Sequence, residues 1–152
     1  PETTKFTIVN SVERMCEFVD RLDSPYAGVI LDPVNHMTAD RIYESGVWMK
    51  QAIAALGDRI VEIHVKDVAP DPEKLLVVHI DEAVMGTGVL DHKSLIEATD
   101  WLAPWKLFSF EHIGKRELIE PAYDHVMGIA KAMGHTWTEP SMTRAKWESK
   151  NR

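Results

Sequence analysis

The sequence predicts an α/β fold built on parallel strands. Three runs of aliphatic and β-branched residues, at 27–31, 59–66 and 106–112, have the character of buried strands. Segments with apolar residues at helical spacing separate these runs, and strands that alternate with helices usually form a parallel sheet. A chain of 152 residues is long enough for one domain with its own core.

The first two helices are predicted from apolar spacing and from their end signals. The first follows Asn10 or Ser11, and either side chain is able to cap it. Thr38 is predicted to cap the second helix in the same way. Gly57 is predicted to end that helix, because glycine commonly follows the last helical turn.

Two further helices are predicted in the second half of the chain. A proline-marked polar loop at 69–74, an apolar stretch at 75–80 and a turn at 85–91 come first. Asp91 is then predicted to cap the third helix. The fourth helix is predicted over residues 118–133, where apolar side chains again recur at helical spacing.

The alternation of side chains in the second strand favours a barrel over a flat sheet. One face carries aliphatic residues and the other carries polar ones, namely Val61, Ile63 and Val65 against Glu62, His64 and Lys66. A flat sheet covered by helices on both sides would bury Glu62 and Lys66 in an apolar layer. A (β/α)8 barrel has a narrow interior and a C-terminal rim that carries functional groups. We therefore expect part of such a barrel.

A polar residue stands near the C-terminal end of each predicted strand. Asp32, His64 and Glu111 occupy corresponding positions and point the same way. Because these strand ends meet at one rim of a barrel, we expect the three side chains to converge. Two carboxylates and an imidazole suit a divalent ion such as Mn²⁺, Mg²⁺, Co²⁺ or Zn²⁺. A simpler alternative is that each acid caps a helix or pairs with Lys66. That alternative is favoured for a single acid at a strand end, whereas a shared metal site is favoured for three residues at matching positions.

Four motifs carry a resemblance to a known family. In chain order they are GVILDPVNH, IHVKD, MGTGVLD and FSFEH. Together they resemble the C-terminal half of the xylose isomerase-like TIM-barrel superfamily, in particular its sugar phosphate isomerases and epimerases. The resemblance covers about residues 1–134. It implies one divalent ion, manganese ahead of the other three, bound by Glu, Asp, His and Glu at the ends of the fifth to eighth strands.

The resemblance implies roles for individual residues. Asp32, His64 and Glu111 match the second, third and fourth metal ligands, and the first glutamate is expected immediately before Pro1. Glu111 is also expected to act as a general acid and base. Lys66 is expected to stabilise developing negative charge or to bind a phosphate, with an ion pair to Asp67 or Glu111 as the open alternative.

Several residues near these positions have two open interpretations. Asn35 and His36 are expected to bind substrate or orient the site, while His36 is alternatively a rim histidine bonded to the backbone. Asp67 either supports a metal ligand or caps a loop. His112 is expected to point toward the helices. Four more histidines lie off the rim pattern and are expected at the surface or at caps: His79, His92, His125 and His135.

The resemblance implies an incomplete barrel. A full barrel takes roughly 250 residues, whereas residues 1–134 match about three βα units, strands six to eight, and 135–152 are predicted to be a C-terminal extension. Three strands alone would leave open edges that invite pairing. We therefore expect a homo-oligomer or a missing N-terminal half to complete the barrel.

The implied activity is metal-dependent isomerisation or epimerisation of a small sugar, sugar phosphate or polyol through an enediolate. A dehydratase of the inosose or dehydroshikimate type would use the same residues. A truncated, inactive half-barrel that folds by self-association is a third alternative. The DNA-repair endonucleases of the superfamily need more histidines for their multi-zinc cluster than this rim supplies.

Composition limits the partners and the location. The net charge is −7, from 17 basic and 24 acidic residues, which argues against binding to nucleic acid. No apolar run approaches the roughly 20 residues of a membrane helix. Cys16 is the single cysteine, so no disulfide framework is expected and a reducing, cytoplasmic location fits.

Overall fold

A computed structural model describes residues 1–4, 6–74, 78–103, 106–138 and 149 of the chain. Short 3-10 turns join several of its elements. The helices and strands in chain order are α1 Val12–Leu22, β1 Val29–Leu31, α2 Ser45–Leu56, β2 Ile60–Val65, β3 Asp67–Pro70, β4 Ile80–Ala83, α3 His92–Thr99, β5 Leu107–Phe110 and α4 Ile119–Ala132.

The central sheet is parallel and has β2 in the middle. β1 and β5 pair with β2 on either side. A further parallel bridge joins Glu2 to Ile30, and the Ile30 N–H donates to the Pro1 carbonyl at 3.0 Å. Residues 1–2 thus lie where the next barrel strand would run. The predicted α/β class is confirmed, and among the described residues the sheet is an open part of a barrel rather than a closed ring.

The predicted alternation in β2 fails at the start of the strand. Val29 pairs with Ile60, but Ile30 pairs with Glu62, so the register skips Val61. Such an irregularity leaves one residue outside the ladder. Val61 is accordingly 47% exposed and does not share the buried face of Ile63 and Val65, although the alternation predicted that it would. Beyond Glu62 the alternation follows the prediction.

Two apolar clusters fix the strands against the helices. The outward-facing residues of β1 and the centre of β2 pack with α1, α2 and α3, and the end of β2 packs with α4. Each large aliphatic side chain that is fully buried contributes roughly 2 kcal/mol to folding. Because apolar residues occupy this outer face, the opposite face of each strand is left for polar side chains. The first cluster includes Met15, Leu31, Ile53, Leu56, Ile63 and Leu95, and the second Val65, Ile96, Ala122, Val126 and Ala130.

Three predicted helix ends are confirmed. The Ser11 side chain accepts a hydrogen bond from the Arg14 backbone N–H at 3.3 Å at the start of α1. The Asp91 carboxylate accepts from the Ser94 N–H at 2.9 Å at the start of α3. Gly57 ends α2 with φ +54°, a conformation that favours glycine.

The predicted cap of the second helix was wrong. Thr38 precedes an irregular segment and a 3-10 turn at 42–44, and α2 begins only at Ser45. The first turn of α2 instead packs against the start of α3. A Cβ added at Gly46 would lie 2.4 Å from a carboxylate oxygen of Asp91, and the Ser45 hydroxyl accepts the Asp91 N–H at 3.1 Å. Packing between the two helices, rather than a local cap, sets where α2 starts.

The residues after β2 form a two-stranded antiparallel sheet that the sequence pattern did not predict. β3 pairs with β4, with Asp67 opposite Ala83 and Pro70 opposite Ile80. The apolar stretch predicted at 75–80 therefore ends on the first residue of β4, while its residues 75–77 lie outside the described part of the chain.

One buried carboxylate organises the turn after β4. Asp67 is 2% exposed, and its two oxygens accept backbone N–H groups at 2.8–3.2 Å. Gly88 lies so close that an added Cβ would meet Asp67 Oδ1 at 2.2 Å. Asp67 thus has the loop-capping role that its sequence position left open. The four donors are Val68, Gly86, Gly88 and Leu90.

The predicted C-terminal extension is described only in part. Residues 139–148 and 150–152 lie outside the described residues. Before them, the Trp137 ring packs edge-on against Phe108, with 5.0 Å between ring centres. The boundary predicted after residue 134 stays a prediction, as does a cytoplasmic location. In the described part of the chain, every helix is too short or too polar to cross a membrane.

We expect Gly88→Ala to lower the free energy of unfolding by roughly 1–3 kcal/mol, because the added methyl group overlaps the Asp67 carboxylate. Gly128→Ala is the matched control. Gly128 lies in α4 with nothing near its missing Cβ, so alanine there should stabilise the helix by about 0.5–1 kcal/mol. Urea unfolding followed by circular dichroism measures both. Equal stability of the two variants would contradict the role given to the Asp67 turn.

Candidate metal centre

The structure brings the three predicted metal ligands together and adds a fourth residue. Glu2, Asp32, His64 and Glu111 each offer one ligand atom, and these atoms all lie within 4.8 Å of one another. Their places follow from the parallel strands: Glu2 bridges to β1, while the other three stand within β2 or directly after β1 and β5. The cluster therefore lies at the C-terminal rim of the sheet.

Glu2 corrects the expectation that the first glutamate lies before Pro1. Two residues are too short for a periodic signal, so the strand pattern did not identify it. The spacing offered a usable signal, because Glu2 precedes Asp32 by 30 residues and Asp32 precedes His64 by 32. One strand and one helix separate successive rim positions in each case.

The imidazole of His64 lies at the centre of the cluster. Its Nδ1 is 3.1 Å from Glu111, 3.5 Å from Glu2 and 3.9 Å from Asp32, measured to the nearest carboxylate oxygen. The side chain is buried, and among the described residues Nδ1 has no partner in hydrogen-bonding geometry. Buried polar atoms are normally satisfied. A cation held between Nδ1 and the carboxylates would satisfy this atom, so the residues present fit a metal ion.

Lys66 joins two of the carboxylates. Its Nζ lies 2.7 Å from an Asp32 oxygen and 3.0 Å from a Glu111 oxygen, and the side chain is only 4% exposed. The ion pair left open by the sequence is therefore present and extends to Asp32. Three carboxylates with one ammonium leave two net negative charges around the imidazole of His64. A divalent cation would balance that charge.

The pKa values of Lys66 and Glu111 reflect this contact. Burial alone would lower the pKa of Lys66, but the hydrogen bonds and charges of Asp32 and Glu111 outweigh it and raise the pKa above 10.5. Burial would likewise raise the pKa of Glu111. The hydrogen bond and the charge of Lys66 outweigh that effect and hold the pKa below 4.5. Both groups are therefore charged at neutral pH.

Asn35 and His36 occupy different positions relative to the cluster. The Asn35 amide donates to Glu2 Oε1 at 3.0 Å, which fixes one carboxylate from outside. His36 is buried, with Nε2 2.9 Å from the Thr3 hydroxyl and its ring stacked on Trp48. Asn35 thus contacts a residue of the cluster directly, whereas His36 contacts Thr3, the residue after Glu2. Substrate binding by either residue stays a prediction.

His112 does not point toward the helices as its strand parity predicted. Its φ of +54° breaks the strand alternation, and Nδ1 lies 2.7 Å from the Glu82 carboxylate on β4. The two side chains line a cleft of about 360 Å³ that Lys66 and Glu111 border. The cluster therefore opens onto a space of the size that small-molecule sites usually have.

His92 was predicted at the surface or at a cap; it is buried, and its ring binds a backbone carbonyl. Its Nε2 donates to the Lys66 carbonyl at 2.8 Å, and its Nδ1 accepts from His125 Nε2 at 3.2 Å. Burial, together with the charge of His92, lowers the pKa of His125 below 6.5. The lowered pKa leaves His125 neutral at pH 7. The pair fixes the backbone that carries Lys66.

The fold is part of a barrel of parallel strands, and its rim carries three carboxylates around an imidazole, a set of groups that could hold a metal ion. The family model of the xylose isomerase-like TIM barrel matches residues 1–118. The chain therefore belongs to the xylose isomerase-like TIM-barrel family. This family is largely enzymatic, includes sugar isomerases and epimerases, and often binds divalent metals.

A solved structure gives the same fold. The crystal structure of a xylose isomerase domain protein from Planctomyces limnophilus superimposes with a TM-score of 0.63 at 21% sequence identity. The match covers 88% of this chain and 45% of that one, so the chain spans less than half the length of this relative. At this identity the likeness shows the fold alone. None of the curated proteins compared with the chain matches it.

We expect His64→Ala to weaken Mn²⁺ binding by more than about 100-fold, because it removes the central nitrogen of the cluster. Loss of a residue that only hydrogen-bonds to a metal ligand typically costs about 10–100-fold. Isothermal titration calorimetry measures the affinity. His79→Ala is the control, since this exposed histidine lies outside the cluster. Unchanged affinity in His64→Ala would remove the residue from the ligand set.

In the metal-free protein, we expect Glu111→Gln to cost stability at neutral pH and to cost progressively less in acid. The pKa of Glu111 is lower in the folded state, so its contribution is present above about pH 4.5 and is lost as pH falls through the folded value. Urea unfolding at a series of pH values measures the difference from wild type. Glu117→Gln, at an exposed glutamate outside the cluster, is the control. A difference for Glu111→Gln that does not shrink in acid would contradict the Lys66 contact.

Proposed function

We propose that the protein acts as a divalent-metal-dependent isomerase or epimerase on a small sugar, sugar phosphate or polyol. One observation carries the proposal, namely that four ligand atoms from Glu2, Asp32, His64 and Glu111 lie within 4.8 Å of one another beside a buried ammonium. Membership of a family that includes such enzymes supports it.

The donor atoms fit a hard or borderline divalent cation. Three carboxylates and one imidazole suit Mn²⁺ best, with Mg²⁺, Co²⁺ and Zn²⁺ as alternatives. Such an ion, bound there, supplies Lewis acidity: it polarises a substrate carbonyl and makes the neighbouring C–H acidic. The remaining chemistry falls to the residues of the chain.

We assign proton exchange with the substrate to Glu2 and Glu111. They come from opposite edges of the described sheet, Glu2 beside β1 and Glu111 directly after β5, with β2 between them. A substrate held over β2 is then within reach of a carboxylate on either side. We assign one glutamate to take the proton from the carbon next to the carbonyl and the other to return it. For an aldose–ketose isomerisation, a single one of these carboxylates is enough.

Lys66 has a separate role in this proposal. Removal of the proton leaves an enediolate, whose negative charge needs a fixed positive group nearby. The Lys66 ammonium is buried and already held by Asp32 and Glu111, so it requires little reorganisation when that charge develops. Its raised pKa keeps it protonated throughout, which makes it a charge stabiliser rather than a base.

The cleft beside the cluster is the proposed substrate site. Its volume of about 360 Å³ suits a molecule of monosaccharide size. Lys66 and Glu111 line it together with three further polar residues: Glu82, His112 and Lys115. Lys115 is exposed and is the group we assign to a phosphate, if the substrate carries one.

The described sheet has open edges, and this affects which form of the protein we expect to be active. β1 and β5 border the described sheet, and only the short bridge from Glu2 extends it. Unpaired edges and a partly open inner face favour completion by further strands. We propose that these strands come from a second copy of the chain or from further chain, and that the active form is a completed barrel.

The test is turnover of a panel of keto-sugars and keto-cyclitols in D₂O with Mn²⁺ present. We expect the wild type to exchange one C–H hydrogen for deuterium next to the carbonyl, and Glu111→Gln to lose turnover by a factor of roughly 10²–10⁴ or more. Product mass and NMR report both. Glu117→Gln should retain activity.

Two outcomes would count against the proposal. Turnover retained in Glu111→Gln would remove that residue from the acid–base role. A product lighter than its substrate by one water would identify a dehydratase, since the proton-abstracting residues are shared but the leaving group differs.

A further inference from the structure

His112 lines the cleft beside the metal cluster in a backbone conformation that is uncommon for its residue type. Its φ is +54°, in the left-handed region that residues other than glycine seldom adopt. Such conformations cost free energy and occur most often at functional sites. Because His112 directly follows Glu111, this conformation sets where the imidazole lies relative to the proposed acid–base group.

The Glu82 carboxylate fixes the direction of the His112 ring. Nδ1 of His112 lies 2.7 Å from each of the two carboxylate oxygens of Glu82, which stands on β4. The side chains of His112 and Glu82 are 56% and 46% exposed, and both line the cleft of about 360 Å³. The ring is therefore anchored on one side and accessible to a ligand on the other.

The second nitrogen of His112 faces the metal cluster. Nε2 lies 3.9 Å from an oxygen of Glu111, which is too far for a hydrogen bond. The same Glu111 oxygen lies 3.0 Å from Lys66 Nζ and 3.1 Å from His64 Nδ1. With the described residues, Nε2 of His112 forms no hydrogen bond. A polar atom beside the proposed reaction site is thus left for a group of the substrate.

The surrounding charges favour a hydroxyl group over an anion at this nitrogen. Carboxylates stand on both sides of the ring, Glu82 at Nδ1 and Glu111 beyond Nε2. A phosphate or carboxylate placed at Nε2 would lie close to Glu111, and like charges repel. A hydroxyl group both donates and accepts, so it can bond to Nε2 and to a carboxylate oxygen at once.

We infer that His112, held by Glu82, binds a hydroxyl group of the substrate near the reacting carbon and selects uncharged polyhydroxy compounds that carry it. The inference rests on the proposed function, because it places the substrate in the cleft beside Glu111. It assigns a specificity-determining residue to that site. A merely structural Glu82–His112 pair, which ties β4 to the end of β5, would affect all ligands alike.

The test measures the binding of matched sugar alcohols to the Mn²⁺-loaded 152-residue chain by titration calorimetry. The probes are xylitol, ribitol and sorbitol, each compared with its monodeoxy analogues. These compounds lack a carbonyl group, so they bind without turnover. We expect the wild type to bind at least one of them, and to bind one of its deoxy analogues roughly 3–10-fold more weakly, the difference that one hydrogen bond makes.

The variants show whether His112 is the source of that difference. His112→Ala should bind the parent polyol as weakly as the wild type binds the deoxy analogue, and should no longer distinguish the two. Glu82→Leu should lose part of the distinction, because the ring stays but is no longer held. His79→Ala, at an exposed histidine outside the cleft, should bind as the wild type does. If His112→Ala does not fold, His112→Asn decides, since asparagine tolerates a left-handed φ and its shorter side chain loses the contact.

The outcomes separate the inference from the proposed function. A variant at His112 that still distinguishes polyol from deoxy analogue, or that loses affinity for both equally, would overturn the inference alone. So would Mn²⁺ binding by a wild type that binds none of the sugar alcohols. Inorganic phosphate that binds in a His112-dependent way would identify an anion site instead. If the keto-sugar panel shows no turnover while the His112-dependent distinction holds, the proposed function fails and the hydroxyl site stands.

Discussion

The structure depends on negative charge concentrated at one end of a parallel sheet. Three carboxylates lie within 4.8 Å of one another and of an imidazole nitrogen, and like charges this close repel strongly away from water. The Lys66 ammonium offsets part of this repulsion through its contacts with Asp32 and Glu111. The remainder favours a divalent cation. The arrangement is costly for folding, and that cost is reasonable only where the charge has a function.

The rest of the fold holds these groups in place. Apolar packing on the outer face fixes the strands, so that their C-terminal ends stay aligned. Behind the rim, Asp67 caps the turn after β4 and His92 binds the Lys66 carbonyl. Within the barrel layer, Glu62 lies beside His64 on the side away from the cluster and accepts a hydrogen bond from Ser109. The charged centre is therefore flanked by apolar packing and by hydrogen-bonded polar groups, which limits its movement.

Much of the candidate site was predictable because strands impose a period of two and parallel strands share one rim. These two rules placed Asp32, His64 and Glu111 together, and the four motifs indicated the family. Glu2 was not predicted because only residues 1 and 2 lie beside β1, and two residues are too few to show the alternation of a strand. His112 was misplaced because a left-handed φ interrupts the alternation on which its prediction relied. The start of α2 was misplaced because Gly46 lets two helices approach closely, and that contact is not local in sequence.

The sequence by itself determined which residue types stand at the strand ends and which faces are apolar, because both follow from local periodicity. Only the tertiary structure decided how these groups combine: that Lys66 bridges two carboxylates, that Glu2 completes the cluster and that Glu62 faces the second nitrogen of His64. Most of these contacts join residues of different strands, and the Glu62–His64 contact joins residues two positions apart on β2. Their distances depend on register and side-chain direction, which the packing of the whole sheet sets.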